Sequence, residues 1–410
     1  MIPRGLSLLQ APPFSVIARF FITFPLFGVL SSILAFSYLI KEPFNLPALV
    51  HTFTLGLMAS VMLGALFQML PVVAGAVIEN PLPKAEISHL SLVLGTLLLI
   101  FGFLSGQSLA LWGSLLLLAG GLYFTAFLMF FKLIKLKSYT PTSKGMKFAL
   151  GLFTVGISCG VLMVLSLLGT VNLNYGFFLN AHISFLLFGW VCLLIASVAF
   201  QVIEMFFVTP PYPKNFSNLF PLATTFFVLL NTFFESFFTK ILISLLFLSF
   251  AVLTIERLLK RRRKIPDPLI SLWYLGMGFL LMAMILYPFT DKYEIFLLFL
   301  LLFGNFALSV IMAMSYRIIP FLVWFHLSAE GSEAPTMYEI IKPSWIWFNY
   351  RVHLIASFLS VISFILEYKI LWLFALAFYT FSFLLLFTGL LKGCLKYFKK
   401  PHRQSVSLQR

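Results

Sequence analysis

Of the six histidines in this chain of 410 residues, two are placed where they could serve a metal. His51 and His182 each stand about one turn inside a long apolar run with no charged neighbour. A neutral imidazole can give one ring nitrogen to a metal while the other is held by a hydrogen bond, and it suits haem iron and copper alike. Two imidazoles from different segments at one depth can grip a single metal ion or haem. The plainer reading of the same residues is an imidazole that bonds a neighbouring carbonyl near the membrane surface. Glu235, near the end of another run and at a similar depth, could orient a ligand imidazole as its acceptor. It could equally transfer protons or simply reach the interface. His89, His326 and His353 lie near the opposite ends of their runs, where packing is the expectation, and His402 lies in the basic tail. The three cysteines, Cys159, Cys192 and Cys394, have no paired spacing and read as small buried apolar residues.

The elements that must position these residues follow from composition. Hydrophobic residues make up 61% of the chain and charged residues 10%, and there are 51 Phe. A soluble domain carries roughly 25% charge, so a water-soluble protein is excluded. The chain reads as an all-α polytopic membrane protein in contact with the lipid bilayer. About 20 apolar residues cross the hydrocarbon, and runs bounded by charge or proline give twelve spans. They lie near 14–40, 47–78, 87–105, 108–131, 146–170, 177–207, 219–238, 240–258, 269–289, 293–326, 346–366 and 370–391. The division between the seventh and eighth is the weakest, resting on Thr239 and Lys240. The first run is long enough to span and is expected to be retained.

The net charge of +15 follows an orientation rule and needs no nucleic-acid partner. With the N-terminus inside, all but four of the 28 basic residues fall on the inner side, the exceptions being Lys41, Lys240, Lys292 and Lys369. Both termini are therefore expected in the cytoplasm, in a membrane of the bacterial inner-membrane type. The block Lys260–Lys264 reads as a topology anchor that also attracts anionic lipid.

The second, sixth and tenth spans close on similar phrases: Phe67-Gln68-Met69-Leu70-Pro71, Phe200-Gln201-Val202-Ile203-Glu204 and Tyr316-Arg317-Ile318-Ile319-Pro320. The four-span spacing suggests one transmembrane domain, 1–410, with internal repeats 14–131, 146–258 and 269–391, as three four-helix arcs around a pseudo-threefold axis. The spans carrying His51 and His182 would then line the shared centre. Polar residues marking helix ends explain the same phrases without a repeat. Gly56, Ser60 and Gly64 recur every four residues and permit close helix contact, and Gly189 leaves room beside His182. Glu204 and Arg317 stand at the inner ends of two repeated spans, placed to pair.

The stretch His51-Thr52-Phe53-Thr54-Leu55-Gly56, with Arg19-Phe20-Phe21 before it, resembles the NnrS family of haem- and copper-containing membrane proteins associated with nitric oxide stress. Asn180-Ala181-His182 with Gly189-Trp190 is similar to oxidase-like chains, and the architecture resembles subunit I of haem-copper oxidases, which has twelve helices in three arcs. The resemblance implies a haem or copper centre on His51 and His182, serving electron transfer or nitric oxide handling with an unspecified redox partner or small ligand. The seventh and eighth spans have no histidine pair and the tenth none until its inner end, so a complete oxygen-reducing centre is not implied, and whether the protein is an enzyme stays open. The competing expectation is a transporter with a central polar site at Asn305, Gln68 and Gln201; an assembly role is a third.

Overall fold

The computed structural model describes residues 10–40, 45–329 and 334–399; Lys41, Lys400, His402 and Arg403 lie outside the described residues. Among these, twelve helices are long and apolar enough to cross a membrane. Spans 1 to 6 are Phe14–Ser37, Leu46–Ala74, Pro81–Ser105, Ser108–Ile134, Pro141–Leu167 and Tyr175–Phe207. Spans 7 to 12 are Lys214–Phe233, Phe237–Leu259, Pro268–Phe289, Tyr293–Ala329, Pro343–Leu366 and Lys369–Phe398. The protein is an all-helical integral membrane protein.

Local chemistry sets the boundaries. Spans 3, 5, 9 and 11 begin on Pro81, Pro141, Pro268 and Pro343, where proline's fixed φ suits a first turn and its missing N–H costs nothing. Thr140 and Asp267 cap two of these starts by accepting backbone N–H groups. The weak point between spans 7 and 8 is a true break, because Ser236 and Thr239 form a reciprocal capping box there. Span 2 stops before residue 78, at Gly75, whose φ of +71° ends the helix in the left-handed region.

Spans 2, 6 and 10 form the centre. Their most apolar windows are 83%, 83% and 61% buried, against 33–56% for the other nine. The nine stand around them in chain order: span 1 touches 3, 3 touches 4, 4 touches 5, 5 touches 7, 7 touches 8, 8 touches 9, 9 touches 11, 11 touches 12, and 12 returns to 1. Each central span also packs on the span before it, 2 on 1, 6 on 5 and 10 on 9. The arrangement is therefore three successive arcs of four. Exposed side chains on the ring are apolar, as at Leu109, Leu116 and Phe238, which suits a lipid surrounding.

We call the two ends the termini face, where spans 1 and 12 begin and end, and the far face. Gly56 and Gly64 receive Phe27 and Phe20 of span 1, since a Cβ at either glycine would lie 2.2 Å or 2.5 Å from those side chains. The small-residue stripe of span 2 thus serves helix packing. The three cysteines are buried and free. Arg317 does not pair with Glu204, which is exposed; its Nη2 donates to Asp267 at 3.2 Å, and its guanidinium lies over Phe206 and Phe207. Asp267 wins because spans 9 and 10 are hairpin neighbours, packed along their length. At the same face, the Lys132 ammonium holds the Glu79 carboxyl below the usual carboxylate range.

Candidate functional site

His51 and His182 come together near the far face. Their ring centres are 6.1 Å apart, with planes 30° from parallel. His51 lies five residues into span 2, which starts on Leu46 after Asn45 accepts the Ala48 N–H. The Asn45 side chain also donates to the Phe103 carbonyl, tying this start to the end of span 3, and the Phe103 ring lies 5.5 Å from His51. Both rings are half-buried.

Each imidazole is held by a carbonyl. His51 Nδ1 is 2.7 Å from the Pro47 carbonyl of its own helix, and His182 Nδ1 is 2.9 Å from the Gly156 carbonyl of span 5. A carbonyl only accepts, so Nδ1 carries the proton on both rings, and in the neutral form Nε2 keeps its lone pair. No hydrogen bond to either Nε2 occurs among the described residues. One nitrogen tied to a carbonyl and the other bare fits a metal ligand, and it fits equally the imidazole that bonds a neighbouring carbonyl near the membrane surface.

The groove that receives His182 is made by two glycines one turn apart. Gly156 supplies the carbonyl, and Gly160 supplies space, since a Cβ there would stand 2.8 Å from His182 Cε1. The run Gly156-Ile157-Ser158-Cys159-Gly160 was the sequence signal for this cradle, a small-xxx-small pair on the span preceding a histidine. Gly189 lies against Leu152 instead. Replacing Gly160 by valine is expected to push the ring out of place and weaken ligand binding by at least about tenfold, because ligands must be held within about 0.5 Å. Gly160→Ala should fall between, and a binding titration on the two variants reads the series.

Both histidine spans depart from α-helical winding at the site. Span 2 is π-helical over Thr52–Ala59, starting at the residue after His51, and span 6 over Ser184–Cys192, starting two residues after His182. π-Turns occur often at functional sites, where they redirect side chains. Beside His182, Asn231 of span 7 forms a buried cluster: it donates to Ser184 and Tyr287 and accepts from Thr239. Ser184 in turn donates to Asn180. This cluster fixes span 6 against spans 7, 8 and 9, and the sequence reading passed over it.

Glu235 takes a different place from the one expected. It lies in the connection between spans 7 and 8, is exposed, and pairs with Lys240 at 3.0 Å, while Lys240 also bonds Asp291 at 2.5 Å. The acceptors of the two imidazoles are the carbonyls above. His89 sits against Phe20 with Thr23 Oγ1 at 2.9 Å, and His326 packs among Phe14, Phe325 and Tyr397. His353 is not near a helix end: it is fully buried in the middle of span 11, 2.9 Å from Ser309 Oγ. Gln68 is buried with its Oε1 unpartnered, and Asn305 bonds Tyr379. Among the described residues, no three His, Cys, Asp or Glu side chains gather as a metal-binding group.

No protein-family model matches the chain, and no curated protein does either.

Proposed function

We propose that His51 and His182 are the two protein ligands of one redox metal centre, haem iron or copper, and that the protein handles electrons or nitric oxide at the far side of its membrane. The observation that carries this reading is the matched state of the two rings: each Nδ1 is tied to a carbonyl, each Nε2 is bare, and the centres are 6.1 Å apart. The two imidazoles would hold haem iron or copper, whereas a four-coordinate zinc site would need further donors. The resemblance to NnrS and haem-copper oxidase chains points the same way. Bound there, the metal would supply one-electron chemistry or a site for a diatomic ligand. The chain's own part is orientation: Pro47 and Gly156 set the ring tautomers, and Gly160 and Phe103 bound the space beside them.

The test is the absorption spectrum and metal content of the purified protein. A Soret band identifies haem, and about one copper ion per chain without that band identifies copper. Colourless protein that binds neither after incubation with haemin or reduced copper overturns the reading.

The excess of Lys and Arg at the termini face orients that face to the cytoplasm and the histidine pair outward, in a membrane of the bacterial inner-membrane type. Reporter fusions after Lys144 and Arg263 are expected to report cytoplasm, and fusions near Lys292 the outer side. An outside signal from the Arg263 fusion would reverse this orientation.

A further inference from the structure

A cavity of about 590 Å³ lies between spans 1, 2, 10 and 12, and neither His51 nor His182 lines it. Its size falls in the range of small-molecule sites, about 300–1,000 Å³. The mouth is at the far face, where Glu294, Glu367 and Lys369 stand at the rim. The bottom is made by Leu308 and Phe383, and Phe383 rests on Gly28, where a Cβ would collide with its ring. Leu308 lies fourteen residues below Glu294, and Phe383 fourteen below Lys369, so the cavity is about 21 Å deep along either helix.

That depth is one leaflet. A bilayer is about 40–45 Å thick with its headgroups, so about 20–22 Å separate the headgroup level from the midplane. The walls are mostly apolar along this length. The polar side chains among them are turned back on the protein. Ser31, Ser32 and Thr54 each donate to a carbonyl one turn earlier in their own helices. Asn305 donates to the Leu301 carbonyl, and Tyr379 donates to Asn305 Oδ1 at 2.6 Å. An apolar chain fills such a shaft without breaking any of these bonds.

The rim carries both signs of charge. Glu294, Glu367 and Lys369 are exposed, and none has an ion-pair partner among the described residues. Glu367 closes span 11 with φ at +52°, in the left-handed region that favours glycine. A glutamate held there against backbone strain sets a second carboxylate beside the mouth.

We infer that the cavity holds one acyl chain of a phospholipid with a primary-amine head, of the phosphatidylethanolamine type. The chain fills the shaft from headgroup level to midplane, and the charged head stays at the charged rim. Its ammonium donates to Glu294 and Glu367, and its phosphate accepts from Lys369, in charge-assisted hydrogen bonds. A head with only the phosphate charge would pair with Lys369 and leave both carboxylates against a like charge. A quaternary ammonium has no N–H to give them. No metal at His51 and His182 is required, since the measured quantity is lipid binding alone.

The test titrates purified, delipidated full-length protein in detergent with phosphatidylethanolamine, phosphatidylcholine or phosphatidylglycerol whose acyl chains carry bromine, a quencher of tryptophan fluorescence. Trp372 lines the cavity and reports its filling. Phosphatidylethanolamine is expected to give a saturable quenching component that Trp372→Phe removes. The other two lipids should need about tenfold more, the effect of one charge-assisted hydrogen bond. Glu294→Gln with Glu367→Gln should bring phosphatidylethanolamine to the level of phosphatidylcholine. Glu367→Gly should weaken the same lipid yet unfold at no lower temperature, because glycine suits the left-handed turn. Gly304→Leu should abolish the saturable component for all three lipids: a Cβ at Gly304 meets nothing closer than Phe53 at 3.6 Å, so the longer side chain fits the fold and fills the cavity. Leu308→Phe fills it from the bottom and replaces Gly304→Leu if that variant does not elute as a single species. Equal saturation by the three headgroups overturns the inference, as does a preference for phosphatidylglycerol. So does saturation that survives in the filled variants, or none in the wild type.

Discussion

Alanine in place of either His51 or His182 is expected to abolish metal or haem binding, lowering affinity by more than about 100-fold, because a single imidazole cannot hold what two hold. The fold should survive. Each ring gives up one hydrogen bond to a backbone carbonyl near the membrane surface, a loss of about 1 kcal/mol. Membrane levels and elution profile should therefore match wild type while the bound metal disappears. His326→Ala and His353→Ala should keep their full load, since those rings pack elsewhere in the bundle. If the His51 variant retains its metal, or the His353 variant loses it, the centre has been placed on the wrong residues.

Asp267→Ala should lower stability by about 2–4 kcal/mol. Asp267 holds two roles at once. Its Oδ1 accepts the Leu269 N–H and caps span 9, and its Oδ2 accepts from Arg317 of span 10. Arg317 is buried and lies over two rings of span 6, so the link joins two of the central helices to span 9. Removing the carboxylate leaves the guanidinium buried without its counter-charge, which costs more than the pair contributes. Asp267→Asn keeps a cap and should lose less. The double variant Asp267→Ala with Arg317→Met should recover part of the loss. Thermal unfolding in detergent reads all three, and an unchanged midpoint for Asp267→Ala would show that the ion pair carries no stability.

The bundle was legible in the sequence because lipid imposes simple rules. Spans must be long and apolar, and basic residues mark one face, so span number and the central place of spans 2, 6 and 10 follow from run lengths and four-span spacing. The meeting of His51 and His182 was legible for a related reason: equal depth on two central helices leaves few places for the rings to go. Their acceptors were not. Every residue has a carbonyl, and nothing in composition shows that Gly156 exposes its own to a ring on another helix. A carboxylate such as Glu235 attracts attention in an apolar sequence, yet Lys240 and the exposed connection claim it. The π-turns were equally hidden, since Thr52–Ala59 has the composition of any apolar helix. His353 was misplaced in depth because the start of span 11, at Pro343, lies a turn earlier than the apolar run implies.

The ring of nine peripheral spans closes where span 12 meets span 1, and Phe14 and Phe398, at the ends of those spans, have ring centres 5.8 Å apart. The other two junctions between arcs are bridged by chain, at 134–141 and 259–268. This third one is held by side-chain packing alone. It is the seam of the cylinder: the one line along which neighbouring arcs can part without stretching a covalent tether. A cavity of about 590 Å³ lies along its far half, walled on two sides by the seam's own helices. The one junction between arcs that no chain bridges therefore depends on its packed side chains for closure, with open space beside it.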